Sequence, residues 1–179
     1  MGSGQADNAT TITIPTHQVG DLICIVTYRT NATAPSLGSG FTNLASWTGS
    51  TRSARIGYKI ATTNSETSGT WSNAKRIAVF VYRNAAPPTL VATAASASYP
   101  ALSGFTSDAW LLRMSGTSTD GISAPTGFTS RQTGGSALYG YLKVHDTNGP
   151  YGATSISAES YTGGSNYQVG ATFAIEPAA

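Results

Sequence analysis

Gly20-Asp21-Leu22-Ile23-Cys24-Ile25-Val26, then a loop holding Pro35, then Gly40-Phe41-Thr42, then Ala54-Arg55-Ile56-Gly57-Tyr58-Lys59-Ile60, is a series that this chain states twice. The second statement runs Ser107-Asp108-Ala109-Trp110-Leu111-Leu112-Arg113, Pro125, Gly127-Phe128-Thr129 and Leu138-Tyr139-Gly140-Tyr141-Leu142-Lys143-Val144. Each closes on one more apolar run, Arg76-Ile77-Ala78-Val79-Phe80-Val81-Tyr82 in the first and Gln168-Val169-Gly170-Ala171-Thr172-Phe173-Ala174-Ile175 in the second. A repeat of this length is neither a solenoid period nor low complexity, so it reads as two similar halves of one body, about 20–84 and 107–177.

Outward from the repeat, no window sustains a 3.6-residue period, while β-branched and aromatic runs recur between clusters of Gly, Pro, Asn and Ser. The pattern predicts strands over 11–14, 22–28, 42–47, 54–61, 67–71 and 76–82, and again over 109–114, 128–132, 137–145, 154–160 and 168–175. The link 84–104, with Pro87-Pro88 and Pro100 around Leu90-Val91-Ala92, has no counterpart in either half and reads as an extended crossover or an edge strand. Ten to twelve short strands predict an all-β, two-sheet antiparallel sandwich, and the duplicated order suggests a jelly-roll-like form. In the run 76–82, Ile77, Val79 and Val81 alternate with Ala78, Phe80 and Tyr82, which leaves no polar face. That strand is either covered on both sides by its own chain or meets another subunit. Asp21 and Asp108 stand ahead of the first strand of each half, which points to a shared turn or capping role.

At 179 residues the chain is long enough for one domain, 11–179, behind a flexible arm at 1–10, with a core that needs neither metal nor disulfide. Charged residues make up 10% of it, against roughly a quarter in ordinary soluble proteins. Its surface is therefore expected to be hydroxyl and amide. A net charge of +2 spread over ten basic and eight acidic residues offers no basic stripe, so no nucleic-acid partner is expected. Cys24, alone in an apolar run, forms no intrachain disulfide and reads as a small buried hydrophobe. Residues 1–10 are polar and lack the apolar stretch of a signal peptide or anchor, which predicts synthesis in a cytoplasm and no membrane partner.

His17 and His145 are the only histidines, and both stand beside turn-like sequence. The chain has no Gly-x-Ser-x-Gly elbow and no His-Glu-x-x-His, and one Cys with two scattered His does not make a zinc set. Glu66 and Glu159 fall near corresponding strands of the two halves, where a glycosidase pair would need to face across a cleft. Thr119-Asp120-Gly121 offers calcium a single carboxylate, and Gly38-Ser39-Gly40, Gly134-Gly135 and Gly163-Gly164 read as turns. No catalytic, cofactor-binding or metal-ligating residue is expected. The aromatic residues are the better candidates: Trp47, Trp71, Tyr139, Tyr141, Tyr161 and Tyr167 on or beside strands, with Phe80 and Tyr82 of the all-apolar run, form an expected contact surface for a sugar face or a protein partner.

The order of aspartate, apolar strand, Pro-containing loop, Gly-Phe-Thr, a strand such as Tyr58-Lys59-Ile60-Ala61, and a closing strand such as Ala78-Val79-Phe80-Val81-Tyr82-Arg83 resembles the small β-sandwich virion proteins of tailed bacteriophages. The second half carries the likeness through Asp108-Ala109-Trp110, Pro125-Thr126-Gly127-Phe128-Thr129 and Gly170-Ala171-Thr172-Phe173-Ala174-Ile175-Glu176-Pro177. The resemblance implies a non-enzymatic virion structural protein, foremost a capsid decoration or cement subunit on the outer surface. It implies as partners copies of the same chain, a trimer among the closed forms, and the major capsid or another virion protein. The alternative is a carbohydrate- or receptor-binding sandwich module of a tail or fibre, with a surface glycan as ligand.

Overall fold

The computed structural model describes residues 1–48, 51–161 and 168–179, and among them there are strands, turns and loops but no helix. Five strands come from the first half: β1 (Gly2–Asp7), β2 (Leu22–Arg29), β3 (Thr42–Thr48), β4 (Ser53–Ile60) and β5 (Arg76–Tyr82). They make one antiparallel sheet in the order β1-β5-β2-β4-β3. The rest of the chain adds β6 (Val91–Ala94), β7 (Ser98–Tyr99), β8 (Leu102–Ser103), β9 (Trp110–Thr117), β10 (Thr129–Gln132), β11 (Gly135–Ser136), β12 (Gly140–Asp146), β13 (Ser155–Ile156), β14 (Glu159–Ser160) and β15 (Val169–Ile175). Of these, β10-β12-β9-β15-β6 form the second sheet, β11 pairs with β12, and β8 with β13 and β7 with β14 form two small ribbons.

Placed in chain order the two sheets have one topology. Strands β1, β2, β3, β4 and β5 correspond to β6, β9, β10, β12 and β15, so β1-β5-β2-β4-β3 becomes β6-β15-β9-β12-β10. The correspondence reaches single residues. Gly40 and Gly127 sit at φ +79° and +80° in the turns before β3 and β10, where a side chain would be strained. Phe41 N donates to Gly38 O at 3.2 Å and Phe128 N to Pro125 O at 3.0 Å. A bulge then interrupts the ladder between Asn43 and Ala45 in one sheet and between Ser130 and Gln132 in the other. The halves therefore share their strand topology, as the repeat predicts. Their connection differs from the interlocked Greek keys of a jelly roll, because each half completes its own sheet instead of contributing strands to both.

The sheets pack face to face on one core. Leu22, Cys24, Val26, Tyr28, Ile56 and Phe80 meet Leu112, Met114, Leu142, Val144, Val169 and Phe173, all fully buried. The outer face of the first sheet is also covered. Ile23, Ile25, Ile77, Val79 and Val81 lie beneath Ile14, Phe41 and Trp71, supplied by the segments before β2, before β3 and before β5. The apolar strand β5 is thus buried on both faces by its own chain, the first of the two alternatives its sequence left open. Residues 11–14 and 67–71 serve as this cover and not as the strands the sequence predicts. No ladder joins them among the described residues: Trp71 N donates to Thr10 O, just ahead of the first segment, at 2.7 Å, and Ser68 Oγ accepts from Ile12 N at 3.0 Å.

Two further expectations are corrected. Residues 2–7 are not part of a flexible arm. Gly2 to Asp7 pair residue by residue with Val81 to Arg76, because β5 would otherwise present an open edge. Asp21 and Asp108 are also out of step by one place. Asp21 N donates to Gln18 O and Ala109 N to Thr106 O, so Asp21 corresponds to Ala109. Asp21 is buried and its carboxylate accepts from Gln18 N at 2.9 Å, whereas Asp108 is exposed.

Candidate binding surfaces

The aromatic residues that the sequence offered as a contact surface do not converge. Trp71 is fully buried on the outer face of the first sheet, with its indole N–H donating to Ser68 O at 2.8 Å and its ring edge-on to Phe41 at 5.3 Å. Phe80 and Tyr82 lie in the core between the sheets. Tyr161 is buried in a small cluster with Tyr99 and Ile122 and donates to Val169 O at 3.0 Å. These four are corrected from surface to interior, since strand alternation and loop cover turn them inward. Trp47 is half-buried at the margin of the core, and Tyr139 and Tyr141 are half-buried on the hairpin from β11 to β12. Tyr167 lies outside the described residues. The hairpin also carries Leu138, which is 73% exposed, and the ammonium of Lys75 lies 5.1 Å from the Tyr139 ring centroid.

The titratable candidates act as fasteners. His17 Nδ1 meets Pro15 O at 2.8 Å, and its Nε2 accepts from Glu66 N at 3.0 Å. Glu66 accepts from Lys59 Nζ at 2.8 Å and from the backbone of Thr62 and Thr63, and this carboxyl sits well below its usual range, at about 2, chiefly through the Lys59 hydrogen bond. Glu159 pairs with Arg113 at 2.6 Å, beneath which the second sheet lies. Asp146, fully buried, accepts from Arg131 Nε at 2.8 Å and from the Tyr82 hydroxyl at 3.3 Å. His145 is fully buried, with Nδ1 3.1 Å from Ser130 Oγ, and burial pulls its pKa down to about 4, aided by Lys143. No three of His, Cys, Asp or Glu stand together as a metal set among the described residues.

Two concavities differ in their walls, and the larger borders the His17–Glu66 fastener. The larger, about 910 Å³, is an open groove between 11–14 and 64–70, lined mainly by hydroxyls, amides and backbone, with Ile12, Ile14, His17 and Glu66 and with no Phe, Tyr or Trp. The smaller, about 190 Å³, lies at one end of the sandwich, where β5 and β15 end and β9 begins. Tyr82, Ile175 and half-buried Trp110 form its apolar wall, with the Tyr82 and Trp110 rings edge to face at 5.9 Å and 78°. Arg83, Asn84, Asp108 and Glu176 form the polar part, and Met1, Ala85 and Pro177 complete the lining. Its walls are tied together by backbone. Ala85 and Pro177 form an antiparallel bridge, Ala86 N donates to Glu176 O at 2.9 Å and Ala178 N to Asn84 O at 2.8 Å. Glu176 is held in turn by Thr106 N at 3.0 Å.

The sequence placed Trp110 in a strand, offered Tyr82 as a contact residue and Asp108 as a turn residue, and did not bring the three together. A signal was present in the repeat. Tyr82-Arg83-Asn84 and Ile175-Glu176-Pro177 end the last strand of each half, and in this chain those two ends lie side by side. Searches against protein-family models, curated proteins and solved structures find no match to this chain.

Proposed function

We propose that the chain is a non-enzymatic structural protein of a tailed-bacteriophage virion, held on the outer surface of the capsid in the manner of a decoration subunit. The sequence resemblance motivates the reading, and one structural observation supports it. Of the residues weighed for acid–base chemistry, His17, Glu66 and Glu159 are occupied in fixing a loop or a neighbouring strand to a sheet, and His145 is fully buried against Ser130, away from solvent. Such a molecule is a scaffold whose surface is left for contact. Of the aromatic positions foreseen as contacts, the hairpin with Leu138, Tyr139 and Tyr141 remains accessible, and this reading gives it to the neighbouring virion protein.

The test is the composition of the particle. Purified virions of the encoding phage, analysed by mass spectrometry and by immunogold labelling with serum against this chain, are expected to carry it in regular multiple copies on the capsid. Its absence from purified particles removes the reading. Label confined to the tail moves it to the tail module.

A further inference from the structure

We propose that the end pocket between Tyr82, Trp110 and Ile175 is a binding site for a single neutral saccharide ring. The inference stands independently of where in a virion the chain resides. It begins with size. A volume of about 190 Å³ equals about six waters at liquid density, which suits one ring-sized residue and not an extended chain. The pocket is roomier than a packing defect, and it sits where two backbone segments are clamped by the Ala85–Pro177 bridge, so its walls are preorganised.

The chemistry of the walls selects the ligand. Half-buried Trp110, backed by the buried Tyr82 ring, offers an apolar, π-rich surface, and the Trp110 indole N–H has no acceptor among the described residues. The rim carries Asp108, whose carboxylate is exposed and makes no hydrogen bond or ion pair within the described residues, together with the exposed Asn84 side chain and Arg83. Arg83 is 60% exposed and only loosely drawn to Asp21, at 3.7 Å. Asp108 and Glu176 repel an anion, and Arg83 opposes a cation. A purely apolar ring would use the Trp110 wall and none of the rim. A pyranose presents an axial C–H face for the positive-seeking aromatic surface and a perimeter of hydroxyls that both donate to carboxylates and accept from guanidinium, amide and indole N–H groups. The larger groove has the polar groups but no Phe, Tyr or Trp to stack on, its one ring being buried His17, which is why the smaller concavity carries the inference.

The test uses the intact chain and a panel of free monosaccharides: glucose, galactose, mannose, rhamnose, N-acetylglucosamine and N-acetylgalactosamine. Saturation-transfer NMR is expected to show ring C–H contacts for at least one of them. Titration of tryptophan fluorescence should give a dissociation constant of about 1 mM, the range open to a ligand of so few atoms. Asp108→Asn and Arg83→Ala alter exposed side chains and leave the fold intact, with unchanged thermal unfolding as the control. Each is expected to weaken the preferred sugar at least fivefold. Trp110→Phe should abolish the fluorescence change while a weakened saturation-transfer signal persists. The proposal is overturned if no sugar of the panel binds at tens of millimolar. It is equally overturned if binding is indifferent to Asp108→Asn and Arg83→Ala, or if N-acetyltryptophanamide occupies the pocket and no sugar does, which would make it a socket for a partner's side chain.

Discussion

Trp71 shows how much depends on one missing side chain. Its ring sits on the first sheet because Gly57 has no Cβ there. One added would lie 2.8 Å from Trp71 Cη2 and 2.8 Å from Leu37 Cδ1. Leucine can swing away, but the indole, edge-on to Phe41 and anchored to Ser68 O, cannot. Gly57→Ala is expected to cost about 1–3 kcal/mol, read as a lower urea midpoint at unchanged slope. In the second sheet the ladder partner of Ser130, as Gly57 is of Asn43, is His145. There the space is filled by imidazole beneath Tyr99, with ring centroids 6.2 Å apart. Burial holds this histidine neutral, so its folded pKa of about 4 lies below the ordinary 6.5. Between those values the unfolded chain binds a proton that the native one refuses. Stability contributed by neutral His145 is therefore complete above pH 6.5 and is lost as pH falls toward 4, by about 3 kcal/mol in all. Thermal midpoints measured across that window should fall for the native chain and fall less for His145→Gln. Cys24, fully buried between the sheets, has a thiol pushed far upward by desolvation, so disulfide reagents should label it only as fast as the protein opens. Labelling complete within seconds in native buffer would place the thiol at the surface.

Among the elements, β1 is the one whose role the sequence concealed. Gly2-Ser3-Gly4-Gln5-Ala6-Asp7 has no β-branched residue and no apolar alternation, so local pattern assigns it to nothing. It becomes a strand through its surroundings. It completes the ladder of β5, Gln5 accepts from Gly134 N at 3.0 Å in the other half, and Asp7 pairs with Arg76, whose guanidinium is fully buried and also donates to Gly140 O at 2.7 Å. Deleting residues 1–8 should open the edge of β5 and leave Arg76 without its carboxylate. The expected loss is about 3 kcal/mol or more in chemical denaturation, with aggregation on concentration. The elements that were legible were those with strong apolar runs, such as β2, β5, β9 and β15, because a strand buried on both faces needs no partner to declare its composition. Residues 11–14 are β-branched throughout and 67–71 carry two threonines and a tryptophan, which also suits strands, yet they form the lid of the first sheet. Local composition registers burial but not which backbone groups find ladder partners. The contact surface was illegible for a related reason. Trp71 and Tyr161 look in sequence like exposed rings near turns, and only the path of the loops shows that those turns fold back over a sheet.

At the scale of the whole molecule, the two halves are alike in topology but dependent on each other for their interior. In the first, Leu22, Cys24, Val26, Tyr28, Ile56 and Phe80 form one face of a sheet, and none of the loops of that half covers it. The cover is Leu112, Met114, Leu142, Val144, Val169 and Phe173. The outer faces, by contrast, are closed locally, by Ile14, Phe41 and Trp71 on one side and by Leu102, Phe105 and Phe128 on the other. Each half alone would therefore keep its outer layer and expose a continuous apolar sheet face of the size that drives association. Further ties cross between the halves: Gln5 to Leu142 O at 3.4 Å, Arg76 to Ser136 Oγ at 2.8 Å and Arg52 to Ala95 O at 2.7 Å. Chains 1–86 and 87–179, cut within the link that has no counterpart in the repeat, are expected to be insoluble or molten when made singly, with dye binding and no cooperative thermal transition. Mixed from denaturant, they should recover a one-to-one complex with a cooperative transition and a protected Cys24, because all the missing contacts are intermolecular and none requires the covalent link. A fragment that folds cooperatively by itself as a monomer would show that the shared core is not what stabilises its sheet.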